Sequence, residues 1–274
     1  SSIVPKWGAD HEDSKTPIGD DLIRGERHLL ECVRGTLAFT DEKGKQYRLH
    51  KERRALPIKR FPGLGLPSTS LFYEGTPIPL HISEFGLHLF HCRKHLEGLN
   101  FYVPKLENEE EACYLHDMIA HAEKSLHAFD PNYPINSVKL LVVLENPRAV
   151  FRVNEIMDAL HPYFAGASLG WHDFLASTAR LFKNDPAYRI PVKADPDIVI
   201  KHIKASHELL ANVVSKRGGL AIGGMYGVLP LSNDFGAKTF QIAIKGYVRD
   251  VITQLKRGLN GFWVRSEEHT SELQ

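Results

Sequence analysis

Acidic side chains follow four of the short apolar runs that the sequence suggests as β-strands. They are Asp10, Glu12, Asp13, Glu107, Glu145 and Asp173. Carboxylates that converge on one edge of a sheet repel one another unless a cation lies between them. Oxygen ligands without clustered cysteine suit Mg²⁺, which takes one or two carboxylates together with water. We therefore predict a Mg²⁺ site at the strand ends, with Glu145 as the strongest single candidate, because the most continuous aliphatic run in the chain precedes it.

Eight apolar runs alternate with helical patterns, as in repeated βα units around a parallel sheet. The predicted strands are Ile3–Ala9, Leu56–Arg60, Phe101–Lys105, Val138–Leu144, Ala165–Leu169, Ile190–Lys193, Leu220–Ile222 and Gly261–Val264. The predicted helices include Glu109–Ala128, Asp173–Phe182 and Asp197–Arg217. Eight strands close a (β/α)₈ barrel, and barrel enzymes place their chemistry at the C-terminal ends of the strands. We predict an α/β fold, a TIM barrel over residues 1–264.

Two segments interrupt this alternation. Residues 35–50 have the pattern of a β-hairpin, which we place after the first strand, as an insertion in the first βα connection. Phe61–Pro79 is dense in glycine and proline and is predicted to be a long loop.

Composition excludes several classes of function. The chain has 34 basic and 33 acidic residues among its 274, so no global charge favours nucleic acid or a membrane surface. No apolar window is long enough for a transmembrane segment. Three scattered cysteines do not suggest a disulfide framework, and a reducing, cytoplasmic location is expected.

Residues 265–274 read RSEEHTSELQ and resemble the in-frame translation of a sequencing-library adapter. We predict that this segment is a non-native tail and exclude it from the fold. The expectation that follows is that the natural chain continues beyond Val264.

Eight segments, in order, resemble successive blocks of the malate synthase family. They are ADHEDSKTPIGDDLIRG, GTLAFTDEKGKQYRL, EFGLHLFHCRKHL, NFYVPKLENEEEA, VVLENPRAVFRVNEI, GWHDFLAS, RGGLAIGGM and NGFWV. The resemblance covers Pro5 to Val264 and implies a (β/α)₈ acyltransferase of the glyoxylate cycle. Such an enzyme uses Mg²⁺, condenses glyoxylate with acetyl-CoA and releases malate and CoA. It would be cytoplasmic, or glyoxysomal in a eukaryotic cell.

The resemblance also implies roles for particular residues. Glu145 and Asp173 match the two metal-binding acids of the family. An acidic cluster that binds the metal's water molecules matches Asp10, Glu12 and Asp13. Glyoxylate would lie on the N–H groups where a helix begins, at Gly170, Trp171, His172 and Asp173, since helix N-termini favour anions.

The catalytic groups depart from the family pattern. The family base is an aspartate in a C-terminal domain, and this sequence ends before it. The family arginine lies in a motif resembling Arg-x-Arg-Gly-Trp-His, where this chain has Arg60-Phe61-Pro62-Gly63-Leu64-Gly65. Pro62 replaces the second arginine, so Arg60 is the predicted catalytic cation. We expect low activity for this incomplete chain.

Three alternatives remain open. A Glu/Asp pair around Mg²⁺ also suits a lyase that acts on β-hydroxyacyl-CoA thioesters such as malyl-CoA. The chain could instead be a degenerate barrel without turnover. Separately, four residues with helical spacing are candidate ligands of a zinc site: His88, His91, Cys92 and His95.

Overall fold

The computed structural model describes residues 6–14, 18–50, 54–188, 196–224 and 234–263, without the side chains of 196–203. The chain divides into two compact units. The first unit consists of Ser1–Val143 with Glu155–Phe164. The second consists of Leu144–Asn154 with Ala165–Gln274.

Strands and helices alternate along the described chain. The strands are β1 (Lys6–Asp10), β2 (Ala38–Thr40), β3 (Gln46–Arg48), β4 (Leu56–Arg60), β5 (Pro67–Tyr73), β6 (Thr76–Pro79), β7 (Asn100–Val103), β8 (Lys139–Leu144), β9 (Phe164–Leu169), β10 (Leu220–Gly223) and β11 (Gly261–Phe262). The helices are α1 (Gly19–Arg34), α2 (Leu80–Cys92), α3 (Glu109–Phe129), α4 (Pro147–Phe151), α5 (Val153–Ala159), α6 (Trp171–Leu181), α7 (Pro196–Val213) and α8 (Lys238–Lys256). In the described part of the chain, no helix is long and apolar enough to cross a bilayer.

The main sheet of the first unit is parallel. β1 pairs with β4, β4 with β7, and β7 with β8. Asp10 lies opposite Arg60 at the ends of the first pair. β8 is buried from Leu140 to Leu144, as expected for an aliphatic strand that is covered on both faces.

The second unit continues the parallel pattern with β9, β10 and β11. β10 pairs directly with β9, and Ala167 lies opposite Ala221. The predicted strand Ile190–Lys193 lies outside the described residues. Each of the other seven predicted strands overlaps an observed one, so the βα order that the sequence predicts is present.

The two interrupting segments differ from the prediction, the first in its position along the chain and the second in its secondary structure. β2 and β3 pair antiparallel, but they follow α1 and therefore lie in the connection from α1 to β4, not between β1 and α1. The predicted loop Phe61–Pro79 contains a second antiparallel pair, β5 and β6. Its turn places Glu74 at φ 49° and Gly75 at φ 79°. Two positive φ angles match the twist of a tight hairpin, which explains why this Gly- and Pro-rich segment forms strands.

Side-chain hydrogen bonds fix the beginning of α3 and the segment that leads into β8. Asn108 accepts a hydrogen bond from the Glu111 N–H at 2.9 Å, which satisfies a donor in the first turn of α3. Further along α3, the fully buried Glu123 accepts hydrogen bonds from the N–H groups of residues 136, 137 and 138 and from the Tyr133 hydroxyl. Glu123 therefore holds the segment that leads into β8.

Candidate active site

Glu145 directly follows β8 and is buried, with 4% of its surface exposed. Asn146 comes next and caps α4, because its side chain accepts a hydrogen bond from the Arg148 N–H at 2.9 Å. The Leu144 carbonyl accepts a hydrogen bond from the Gly170 N–H at 3.1 Å. This bond joins the segment that carries Glu145 to the segment that begins α6.

Asp173 lies in the first turn of α6 and is half-buried. One turn later, the Ser177 hydroxyl donates a hydrogen bond to the Glu145 carbonyl oxygen at 3.3 Å. Residues four positions apart share a face of an α-helix. Asp173 is therefore on the face of α6 that contacts the Glu145 main chain, and both predicted metal ligands belong to the second unit.

The N-terminus of α6 is the predicted anion site. Gly170 is its N-cap residue, and no side-chain hydrogen bond caps this end among the described residues. Trp171 and His172 open the helix, and the Trp171 ring stacks on Phe174 with centroids 6.4 Å apart. A helix N-terminus concentrates N–H donors and positive potential, which suits a small carboxylate.

Arg60 lies in the first unit and binds three acids at the C-terminal end of β1 and just beyond it. Its guanidinium contacts Asp10 in a bidentate arrangement at 2.8 and 2.5 Å, Glu12 at 3.0 Å and Asp13 at 3.1 Å. Burial alone would raise the pKa of Asp10, but hydrogen bonds from Arg60 and Ser14 outweigh it and lower the pKa to about 2. The predicted catalytic cation and the predicted water-binding acids thus form one ion-pair cluster.

Lys105 adds a second cation to this cluster. It forms ion pairs with Glu12 and Asp13 and occupies a left-handed backbone conformation, with φ 53°. Burial raises the pKa of Glu12, although Lys105 and Arg60 oppose that rise. The sequence suggests that a metal ion would relieve the repulsion among the acids at the strand ends. In this cluster, two side-chain cations, Arg60 and Lys105, relieve that repulsion.

A second charged cluster, which the sequence did not predict, is buried in the first unit. Its members are His11, Glu26, Lys59, Glu84 and His88, each at most 8% exposed. The Lys59 ammonium contacts the carboxylates of both Glu26 and Glu84, the latter at 3.0 Å. A signal did exist, because Glu26 lies on the apolar face of α1 and Lys59 interrupts the apolar strand β4.

Within the described residues, His11, Glu26 and Glu84 are the group whose ligand atoms all lie within 4.8 Å of one another. Lys59 contacts both carboxylates of this group, so its ammonium supplies the positive charge that a metal ion would otherwise bring. The cluster is therefore an ion-pair network rather than the predicted metal site.

The four residues of the alternative zinc site do not converge. His88 is buried and binds Glu26 and the Gly98 carbonyl, whereas His91 is exposed and packs against Phe90. α2 ends at Cys92, so His95 lies beyond the helix that would have aligned it with the others. The spacing of the four residues is helical, but their helix is too short to bring them together.

His88 is charged in the folded chain. Its two ring nitrogens lie 3.1 Å from the Glu26 carboxylate and 3.0 Å from the Gly98 carbonyl oxygen. Two acceptors require that both nitrogens carry a proton. Burial alone would lower the pKa of His88, but its bonds with Cys92 and Glu26 raise the pKa to about 9.

This raised pKa makes stability depend on pH. The contribution of the His88 proton to the free energy of unfolding is fully present below pH 6.5 and is lost as the pH rises through about 9. Between these pH values, only the unfolded chain releases the proton. We expect the free energy of unfolding of wild type, relative to His88→Gln, to fall by up to about 3 kcal/mol over this range. Urea unfolding at pH 6, 7.5 and 9 measures the difference, and a constant difference across these pH values would contradict the assignment.

Comparisons with known proteins show which family this chain is similar to. The family model for the malate synthase TIM barrel domain matches residues 57–271. The match therefore overlaps the predicted non-native tail 265–274, which lies outside the described residues. The malate synthase of Myxococcus xanthus (strain DK1622) is 31% identical over 261 residues, covering 93% of this chain and 47% of that protein. Malate synthase A of Escherichia coli (strain K12) is 30% identical over 265 residues, covering 95% and 48%.

A solved structure supports the fold. The magnesium/glyoxylate complex of Haloferax volcanii malate synthase matches with a TM-score of 0.59 at 13% identity, covering 97% of this chain and 64% of that one. The present chain spans about half the length of the curated relatives that it matches. The family model covers most of the chain, and the βα order agrees with the barrel that it describes. This chain belongs to the malate synthase family and carries its TIM barrel domain.

Proposed function

We propose that this chain provides the Mg²⁺- and glyoxylate-binding part of a malate synthase, which condenses glyoxylate with acetyl-CoA to give malate and CoA. The observation that carries the proposal is the position of Glu145 and Asp173 in the second unit. The Ser177 hydroxyl binds the Glu145 carbonyl, and Asp173 precedes Ser177 by one helical turn on the same face. The magnesium/glyoxylate complex of the Haloferax volcanii protein, which has the same fold, supports the choice of metal and substrate.

The donor set fits Mg²⁺. Glu145 and Asp173 offer carboxylate oxygens, and Mg²⁺ commonly takes one or two carboxylates while keeping water and substrate oxygens as its other ligands. Bound there, Mg²⁺ would act as a Lewis acid on the aldehyde of glyoxylate. The burial of Glu145 limits competition from bulk water for its oxygens.

The beginning of α6 would orient the substrate. We assign the glyoxylate carboxylate to the main-chain N–H groups of Gly170–Asp173, where the helix dipole favours a negative charge. Trp171, stacked on Phe174, would provide an apolar wall beside this carboxylate. An anion in this position would lie next to the Asp173 side chain, so the proposed metal and substrate sites would be neighbours.

Arg60 is the proposed stabiliser of negative charge that develops on the thioester oxygen during condensation. Its guanidinium is surrounded by three carboxylates, and Lys105 brings one further positive charge. Three negative and two positive charges leave the cluster with a net charge of about −1 when all groups are ionised. We therefore expect Arg60 to be a weak electrostatic catalyst and the turnover of this chain to be low.

Isothermal titration tests the proposal directly. Mg²⁺ is titrated into wild type in the presence of glyoxylate, and then into Asp173→Asn and Glu145→Gln. Loss of a metal-binding carboxylate is expected to weaken binding by at least about tenfold, which corresponds to about 1.4 kcal/mol.

Glu208→Gln is the matched control. It removes one acid from the exposed surface of α7 in the same unit and should leave affinity unchanged. If wild type does not bind Mg²⁺ and glyoxylate, or if Asp173→Asn binds them as wild type does, the proposal is wrong.

A further inference from the structure

The two charged clusters of the first unit lie on opposite faces of the same pair of strands. Lys59 and Arg60 are consecutive residues of β4, so their side chains point in opposite directions. Lys59 points to Glu26 and Glu84 on α1 and α2, which is the helix-covered face. Arg60 points to the other face, where it binds the acids at the end of β1 and just beyond it. The buried network thus lies behind the predicted catalytic cation.

His11 joins these two clusters. Its main-chain N–H donates to the Arg60 carbonyl at 2.9 Å, which continues the pairing of β1 with β4. Its ring Nδ1 bonds to the Glu84 carboxylate at 2.7 Å. His11 lies between Asp10 and Glu12 in sequence, so this ring bond acts on the segment that carries the acids around Arg60.

The partner of His11 is well anchored. Glu84 is 1% exposed, and its neighbours Phe85 and Leu89 on α2 are core residues. Lys59 binds the Glu84 carboxylate at 3.0 Å and also donates to the Glu84 carbonyl at 3.0 Å. Because Glu84 is held at both its side chain and its main chain, the bond to His11 transmits a defined position to the acidic segment.

We propose that His11 is a positioning residue: through its hydrogen bond to Glu84, it holds Asp10, Glu12 and Asp13 around Arg60. It thereby sets how far these acids neutralise the positive charge of Arg60. The catalytic meaning of this arrangement rests on the proposed function, whereas the positioning itself does not. The His11 ring lies in the buried network against Glu84, not among the acids around Arg60. It acts through Arg60 and the acids that bind Arg60.

Two substitutions at His11 separate positioning from packing. His11→Leu places an apolar side chain of similar size at this position and removes the donor. His11→Asn retains an N–H donor near the position of Nδ1 and should restore the bond to Glu84. Ile119→Val is the matched control, because it removes one methylene from the fully buried core of the same unit and costs about 1 kcal/mol without touching the network.

The readout is the Arg60 Nε–Hε resonance in a ¹⁵N–¹H spectrum, since this N–H donates to Asp10 at 2.8 Å. We expect its hydrogen exchange to accelerate at least about tenfold in His11→Leu, as local opening becomes easier. Exchange should return to the wild-type rate in His11→Asn and stay unchanged in Ile119→Val. If His11→Leu does not fold, His11→Phe, a ring of similar shape that also lacks the donor, provides the same comparison.

Three results would overturn the proposal: wild-type exchange in His11→Leu, equal acceleration in Ile119→Val, or no recovery in His11→Asn. Titration of the same variants with Mg²⁺ and glyoxylate keeps the two proposals separate. If wild type fails to bind these ligands, the proposed function is wrong, while the exchange rates of Arg60 still decide whether His11 positions the cluster.

Discussion

Replacing Lys59 with methionine is expected to lower the free energy of unfolding by about 3–5 kcal/mol. Lys59 is completely buried and contacts the carboxylates of Glu26 and Glu84. Methionine fills similar space but leaves two buried negative charges with less compensation, and that desolvation cost dominates. Burial alone would raise the pKa of Glu26, and the charge of Lys59 is the first of the effects that lower it instead. The acid should therefore also become easier to protonate in the variant.

Urea unfolding at pH 7, followed by far-UV circular dichroism, measures this loss. Lys43→Met is the control, because Lys43 is exposed and its removal should change stability by no more than about 0.5 kcal/mol. A loss of less than about 1 kcal/mol in Lys59→Met, the size expected of a solvent-exposed ion pair, would contradict the role assigned to the buried network.

Replacing Glu123 with alanine is the second change with a large expected effect, also about 3–5 kcal/mol. Glu123 is fully buried and accepts the Tyr133 hydroxyl at 2.6 Å and the main-chain N–H groups of residues 136, 137 and 138 at 2.7, 3.0 and 3.2 Å. Alanine removes every one of these acceptors while the donors stay in place. Unpaired buried donors are costly, and the segment that enters β8 would loosen.

Tyr133→Phe is the graded control for this prediction. It removes one donor of the group and should cost only about 1 kcal/mol. Hydrogen exchange adds a local measurement, since the amides of residues 136–138 should lose protection in Glu123→Ala before β8 does. Equal stability of Glu123→Ala and Tyr133→Phe would show that the main-chain bonds contribute little.

Periodicity and strand-end chemistry could predict most of the frame. The aliphatic run before Glu145 forms β8, and the predicted helix Glu109–Ala128 is observed as Glu109–Phe129. Such elements depend on local pattern, which a sequence displays directly. The bond from Ser177 of α6 to the Glu145 main chain follows from the same logic, because Glu145 and α6 come just after strands that are neighbours in the chain.

Contacts between distant residues could not be predicted in this way. The bond from His11 to Glu84 joins residues 73 positions apart, and that from Lys59 to Glu26 spans 33. A charged residue on an apolar face interrupts the hydrophobic pattern, but the pattern does not show which distant residue it pairs with. Similarly, glycine and proline suggested a loop at Phe61–Pro79, whereas positive φ angles at Glu74 and Gly75 close a hairpin there. Turn geometry, rather than composition, decides that segment.

The adjacent Lys59 and Arg60 also disfavour a shifted pairing of β4 with β1. Sliding this strand by one residue against β1 would turn every side chain to the other face of the sheet. Lys59 would then leave Glu26 and Glu84 buried without their cation, and Arg60 would lose its alignment with Asp10. Both faults would arise together from a single slip. Two unlike cations side by side thus make the correct pairing far lower in energy than its nearest competitor.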